Sequence, residues 1–405
     1  MKRISLFLLL FLLLKATVMY SQDGHPETNF RIVPVSPNAA SLGTFGMIPT
    51  DNYVGQANLT IPIYEIDLDG KKFPIALSYH TDGTRVAQEA TWIGLGWTLQ
   101  AGGCVVRQVQ GTDDFAARGC YNLTDAPWLT NPRFEVTDQN LEKYMGYFKG
   151  DYDAEPDMFY FNAGGHSGSM YFDVLKNNRQ LNAVPTIQTQ EKVVKMVYNT
   201  SNKTWTMTDL EGYVYSFSTK EITYYFLNTI DFFQTDITRS HIFPYYNEPQ
   251  IVTAWMLDSV TSPNGGKITF SYKKESIFTP ISTTEDVISL SKIVNGQLSS
   301  QSPQYFTNKF NYNYSYSKIE QWTLSAITFE GGKVEFGTTD REDIESAETG
   351  KKVQKLSSIK VSDTAGNLIK TTMLEYKYLL SGMAATTNGY DDRLLLSKVY
   401  DVAGS

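Results

Sequence analysis

Residues able to do chemistry are present in this chain, but their spacing assembles no known machinery. Gly165-His-Ser-Gly-Ser169 misses the elbow that presents a serine nucleophile by one residue, because Ser169 stands where that motif has glycine. The elbow also requires a strand turning into a helix. Here the following residues alternate as a strand does, so a small-residue hairpin loop is the expectation. Gly94-Leu-Gly96 opens like a dinucleotide fingerprint, yet the third glycine position is Leu99 and no helical pattern follows. A bend where Trp92 and Trp97 bury their rings accounts for it better.

Acids and histidines give the same answer. His25, His80, His166 and His241 are scattered, and none stands at ligand spacing from an acid. Asp113-Asp114, and Glu155 with Asp157, are the candidate carboxylate pairs for acid–base work, which needs two carboxylates facing across a cleft. Asp151-Tyr-Asp153-Ala-Glu155-Pro-Asp157 alternates acids like a calcium loop, but lacks its glycine and its distal glutamate. Solvated loops are the expectation for both stretches. The sequence therefore predicts no catalytic residue, no cofactor and no metal, and the chain is expected not to be an enzyme.

The elements around these residues read as β structure. Aromatics are 13% of the 405 residues, which favours strands. Hydrophobic content of 41% excludes a disordered chain. The net charge of −8, with no dense basic stripe, argues against nucleic-acid binding. Lys2 and Arg3 precede an apolar run, Ile4 to Leu14, which suits a signal-peptide core and is shorter than the roughly 20 residues that span a bilayer. Residues 1–21 are thus expected to be removed, leaving Gln22 first and a protein that is secreted or at the cell surface, without a membrane span. No cysteine lies near the cut, which argues against a lipoprotein. Cys104 and Cys120 could bridge in an oxidising compartment or remain two unrelated thiols; spacing leaves both open.

The fold class expected is mainly β: antiparallel hairpins in sandwich-like and extended twisted sheets, with one short helix over 138–149, where Leu141, Tyr144, Met145 and Phe148 fall at helical spacing. Residues 22–52 read as an extended N-terminal arm. Residues 53–155 form an opening unit in which strands Leu59–Ile66 and Phe73–Tyr79 flank a turn. Residues 156–250 form a hairpin unit that ends in an irregular aromatic loop from 222. Residues 251–405 hold degenerate repeats: Trp255 to Tyr272, Trp322 to Phe336 and Leu356 to Lys370 each read as strand, glycine turn, strand. A fourth copy from Arg393 stops at its turn, so a continuation past Ser405 is expected. Tyr224, Tyr225, Phe226, Phe232, Phe233, Tyr245 and Tyr246 could stack on sugars, although packing under a loop is the commoner use.

Tyr53 to Arg107 carries a paired-strand "IPI…P…LSY" unit, then Trp92-Ile-Gly-Leu-Gly-Trp97, then Gly102-Gly103 before Cys104-Val-Val-Arg107. This order resembles the start of the shell-forming part of RHS/YD-repeat proteins of the Bacteroidetes type. It is similar, too, to the N-terminal region of the B components of insecticidal toxin complexes. Pro156-Asp-Met-Phe-Tyr-Phe-Asn162 with Gly168, and the turn Ser262 to Gly265, resemble later blocks of that family. Cys104 departs from the family's usual small polar residue, and a long array of Tyr-Asp dipeptides is absent. The resemblance implies a non-catalytic shell segment engaged in toxin or effector encapsulation or in cell-surface interaction. Its partner would be a downstream C-terminal repeat or toxin region of the same polypeptide. Surface glycans or proteins are further partners, through a carbohydrate-binding or adhesion role; a hydrolase on a β scaffold is the remaining alternative. Trp92, Gly94, Gly96, Trp97, Gly102 and Gly103 are expected to be structural.

Overall fold

A computed structural model of the chain describes residues 34–39, 42, 58–80, 88–116, 119–122, 141, 145, 153, 155–173, 184–188, 194–230, 250–290, 293–294, 297–298, 307–379 and 392–402. β1 (Asn58–Leu68) and β2 (Lys71–His80) pair across Asp69-Gly70, whose φ angles of 51° and 92° define the tight turn that matches strand twist. Pro62 lies on the outer strand of this sheet, where its missing N–H costs no ladder bond. β3 (Trp97–Gln100) adds to β2 and completes a three-stranded sheet.

A second sheet of 16 strands takes up most of the remaining described chain. β4 (Gly103–Gln108) pairs with β5 (Met158–Ala163), then follow β6 (His166–Tyr171) and the short β7 (Thr186–Ile187). β5 and β6 join across Gly164-Gly165, so the expected long loop there is a two-residue turn. β8 (Val194–Asn199) and β9 (Thr204–Asp209) form the next hairpin, and β9 pairs with β10 (Val214–Ile230).

β10 corrects the reading of 222 onward as irregular. Ile222 to Ile230 stay extended, because from Ile222 β10 pairs with β16, on the edge that β9 occupies over Val214–Phe217, and it keeps β11 on its other edge as far as Thr223. Cross-strand neighbours use these aromatics in packing: Phe226 stacks on Tyr316 at 4.6 Å.

β11 (Ile251–Thr261) and β12 (Lys267–Phe278) touch only near their turn, then diverge. β11 runs on beside β10 and β4, while β12 runs beside the long β16 (Thr307–Phe329). β13 (Ser282–Leu290) also pairs with β16, and β14 (Ile293–Val294) with β15 (Gln297–Leu298) forms a separate ribbon. β17 (Gly332–Asp340), β18 (Glu345–Ser346), β19 (Gln354–Ser362), β20 (Leu368–Leu379) and β21 (Arg393–Val402) complete the sheet, with β21 at its edge. All pairings among the described residues are antiparallel, so the chain is mainly β as expected. Strands of this sheet pair across position 155, β4 with β5, and across position 250, β10 with β11.

The main core lies between the two sheets. Ile66, Ile75 and Leu77 meet Phe159, Trp205, Trp255, Val260, Ile268 and Leu356 in one cluster. Trp205 lies 4.8 Å from Tyr198 and 5.3 Å from Phe159, ring centre to ring centre. Such offset and edge contacts each add about 0.5–1.5 kcal/mol beyond area burial.

The helix expected over 138–149 lies mostly outside the described residues; Leu141 and Met145 are described and are helical and exposed. A second helical segment was not foreseen. Within the arm read as extended, Pro37, Asn38, Ala39 and Leu42 are helical. Ser36 caps this turn, its Oγ accepting the Ala39 N–H at 3.1 Å, and Pro37 takes the first helical position. Ser36 and Ala39 are fully buried against the sheet, beside Cys104, Val106, Ala254 and Met256. No helix among the described residues is long and apolar enough to cross a membrane.

Candidate functional site

The Trp92–Trp97 knot is where both sheets and the arm meet. Thr91 organises it: its Oγ1 donates to the Trp97 carbonyl at 2.6 Å and accepts the Ile93 N–H at 3.1 Å. From the arm, the Asn38 Oδ1 accepts the Trp92 N–H at 2.9 Å. From the large sheet, Leu356 donates its N–H to the Trp92 carbonyl at 3.0 Å, and Leu95 donates to the Leu394 carbonyl at 2.8 Å. His80 closes the small sheet by donating its N–H to the Gly96 carbonyl at 2.8 Å. Trp92 and Trp97 pack in different directions, the first 6.5 Å from Phe336 and the second 5.2 Å from Tyr79.

Only glycine fits at position 94. Its φ is +115°, and a Cβ there would stand 2.9 Å from the Leu396 backbone nitrogen. Gly103 is under the same steric rule from another side, since its Cβ would fall 2.4 Å from the Asn162 carbonyl oxygen. Gly102 and Gly103, with Gly164 and Gly165, line a cleft of about 300 Å³ between the sheets. Its other walls are largely apolar, with Gln100, Asn162 and Ser167 as polar members; none of its described lining residues is an acid or a histidine.

A buried ion pair locks the knot to the sheet. Arg341 engages Asp343 through two bonds, Nε to Oδ1 at 2.8 Å and Nη2 to Oδ2 at 2.7 Å. The same guanidinium donates to the carbonyls of Thr91 and Ala90, while Asp343 accepts the Leu394 N–H at 3.1 Å. Arg341 and Asp343 spend their bonds on each other and on backbone, which is what a buried charge requires.

Of the acids read as solvated, Glu155 is exposed and Asp151 lies outside the described residues, but four others are interior, which corrects the expectation for them. Asp113, Asp114, Asp153 and Asp157 are at most 8% exposed. They gather round Arg107, which β4 delivers from below and which is 1% exposed. Arg107 bonds Asp113 and Asp157, and Asp157 also accepts the Gln110 N–H at 2.7 Å. Asp153 accepts the Thr112 N–H at 2.8 Å and the Glu155 N–H at 2.9 Å. Burial first, and then the Asp157 carboxylate, push the Asp114 carboxyl up to about 8. Burial also raises Asp153 to about 6. The physical driver was invisible in the sequence: an arginine on a strand, 6 to 50 positions away, supplies the charge that draws the loops in.

The Gly165–Ser169 stretch does not form a nucleophile site. His166 and Ser167 are successive residues of a strand, so their side chains point to opposite faces. His166 approaches Asp209 at 3.7 Å, but Asp209 is held by Lys71 at 2.5 Å and by the Tyr215 hydroxyl at 3.1 Å. For Lys71, burial opposes the charged form, and its bonds to Asp209 and Glu211 outweigh burial and hold the ammonium well above its ordinary range. Among the described residues, no group of three or more His, Cys, Asp or Glu side chains is arranged to hold a metal ion.

The bridge weighed between Cys104 and Cys120 is not formed. Both thiols are free and buried, in separate apolar clusters. Burial, reinforced by the nearby Asp114, Asp153 and Asp157, pushes the Cys120 thiol up to about 12. Of the aromatics weighed for sugar stacking, Tyr224, Tyr225 and Phe226 are half-buried on β10, and the Tyr224 hydroxyl bonds Glu320 at 3.2 Å. Phe232, Phe233, Tyr245 and Tyr246 lie outside the described residues.

No family model matches the chain, and no curated protein matches it in sequence. Among solved structures it is similar to the N-terminal domain of the effector protein SpvB from Salmonella typhimurium strain LT2. That likeness has 12% identity and a TM-score of 0.37 over 86% of this chain and 99% of that one. It is similar to TcdB2-TccC3 at 9% identity and a TM-score of 0.36, over 91% of this chain. A Photorhabdus luminescens Tc holotoxin pore is similar at 10% identity and a TM-score of 0.37, again over 91% of this chain. The chain spans 16% and 15% of the length of the last two.

Proposed function

We propose that the chain is a non-catalytic, exported scaffold: the N-terminal shell segment of an RHS/YD-repeat-type protein, serving toxin or effector encapsulation or contacts at the cell surface. One observation carries this reading. The glycine-turned hairpins join edge to edge in a single sheet, and the knot binds its late strands back to the small sheet through Leu95–Leu394 and Trp92–Leu356. Hydrogen bonds that tie the late strands of one sheet to the other sheet suit a wall. The buried charges at Arg107 and Arg341 support the same reading, because they are spent on backbone and on each other. The partner would be a C-terminal repeat or toxin region of the same polypeptide.

The test is made on the native product in its source cells. The scaffold reading expects export, an apparent mass above the 45.6 kDa of these residues, and an interior segment that survives protease until the shell is denatured. A native product ending at Ser405, or one retained in the cytoplasm, overturns it.

A further inference from the structure

The carboxylates around Arg107 present a charge imbalance. If Asp113, Asp114, Asp153 and Asp157 were all ionised, four buried negative charges would cluster near one guanidinium, which bonds Asp113 and Asp157 and leaves Asp114 without a cation on its carboxyl. Like charges in a desolvated site cannot all persist, and one of them keeps a proton. Asp114 is the member built to keep it. It is fully buried, and its Oδ2 accepts the Asp157 N–H at 2.6 Å, while its own N–H reaches the Asp157 Oδ2 at 3.3 Å. That reciprocal pair ties residues 111–121 to residues 153–157. The Asp114 Oδ1 and the neighbouring Tyr121 hydroxyl are both buried with no other group on them, so the hydroxyl is the one donor poised to serve an ionised Asp114.

We propose that a proton on Asp114 fastens these two segments together, so that they form a clasp that closes when Asp114 is neutral and loosens when it ionises. The groups facing Asp114 are Arg107 from β4, Asp157 and Asp153 from the segment before β5, Asp113 and Cys120 from its own segment, and Tyr121. Tyr198 of β8 packs on the ring of Phe115 just behind them at 5.6 Å. Asp114 has its folded-state value raised to about 8, above the ordinary 3.8. A raised acid stabilises the fold fully below its unfolded value, and the contribution is lost as pH rises through the folded one. The Asp157 N–H, then Arg107 and Tyr121, pull Asp114 the other way, toward ionisation, and burial with the Asp157 carboxylate outweighs them. Asp153 adds a smaller step of the same sign at about 6. Cys120, raised to about 12, stays neutral throughout.

Hydrogen–deuterium exchange on the full chain, corrected for the intrinsic pH dependence of exchange, reads the clasp directly. Amide protection over 111–121 and 153–157 is expected to fall about tenfold or more from pH 6 to pH 9, with hairpin β8–β9 unchanged as the internal control. Asp114→Asn imitates the neutral carboxyl and should keep protection flat across that range. Tyr121→Phe removes a hydroxyl that favours the ionised form, so the loss should move to higher pH. An unaltered pH profile in Asp114→Asn, or full protection of the native chain at pH 9, overturns the proposal. Should Asp114→Asn not fold, an unmoved midpoint in Tyr121→Phe overturns it alone.

Discussion

The Leu95 amide and the Leu394 carbonyl meet at 2.8 Å, joining the glycine knot that precedes the third strand to the strand at the far edge of the large sheet. Beside them Asp343 accepts the Leu394 N–H and holds Arg341, which in turn holds the Thr91 carbonyl. The arrangement depends on close backbone approach: without it both the small sheet and the edge strand lose a neighbour.

Gly94→Ala should therefore weaken the fold well out of proportion to one methyl group. The new Cβ meets the Leu396 nitrogen at 2.9 Å and imposes an unfavourable φ of +115°. A loss of about 1–3 kcal/mol is expected in urea unfolding. Proteolysis near residues 393–402 should rise with it, and an unchanged midpoint would show that the knot yields freely.

Arg107→Met should be the most damaging single change at the acidic cluster. It leaves Asp113 and Asp157 buried without their cation, an outcome that typically costs about 3–5 kcal/mol. Adding Asp157→Asn should restore part of the loss, because it removes one of the abandoned charges. A double-mutant cycle with no coupling between the two positions would refute the pairing.

Glu275 supplies a pH prediction independent of Asp114. Burial raises its carboxyl to about 7, against weaker opposing pulls from Lys273, Gln354, Gln321 and Arg341. Since the folded value lies above the ordinary 4.5, its contribution is complete below that ordinary value and drains away as pH climbs through 7. Thermal midpoints of the native chain and Glu275→Gln should diverge on going from about pH 5 to about pH 8, with the native chain losing ground. Parallel curves would contradict it.

Both cysteines should count as free thiols. In the folded chain, alkylation is expected to be slow at each, because burial raises both thiols above their ordinary range. Unfolding should expose two thiols at once to a mass-tagging reagent. A product carrying no free thiol would mean that Cys104 and Cys120 had bridged.

Much of the strand inventory was legible because turn chemistry is local. Asp69-Gly70, Gly164-Gly165 and the Ser262–Gly266 turn announce their hairpins within a few residues. The arm helix was missed although its signal, Ser36 followed by Pro37, was present; so short a turn has too little periodicity to stand out. The acidic cluster was misjudged for a different reason. Nothing near Asp113 or Asp157 reveals that Arg107 comes up beneath them, and without that cation two acids in a loop belong in water.

The amino-acid sequence by itself determined that this chain is built of antiparallel ribbons, since alternation and positive-φ turns act over neighbours. Tertiary structure alone decided which ribbons join, as when one edge of β10 passes from β9 to β16, which joins at Ile222. It alone placed the carboxylates of Asp113 and Asp157 on one guanidinium and Leu95 on Leu394. Those contacts join residues far apart in the chain, and their energy exists only once desolvation and packing have brought them together.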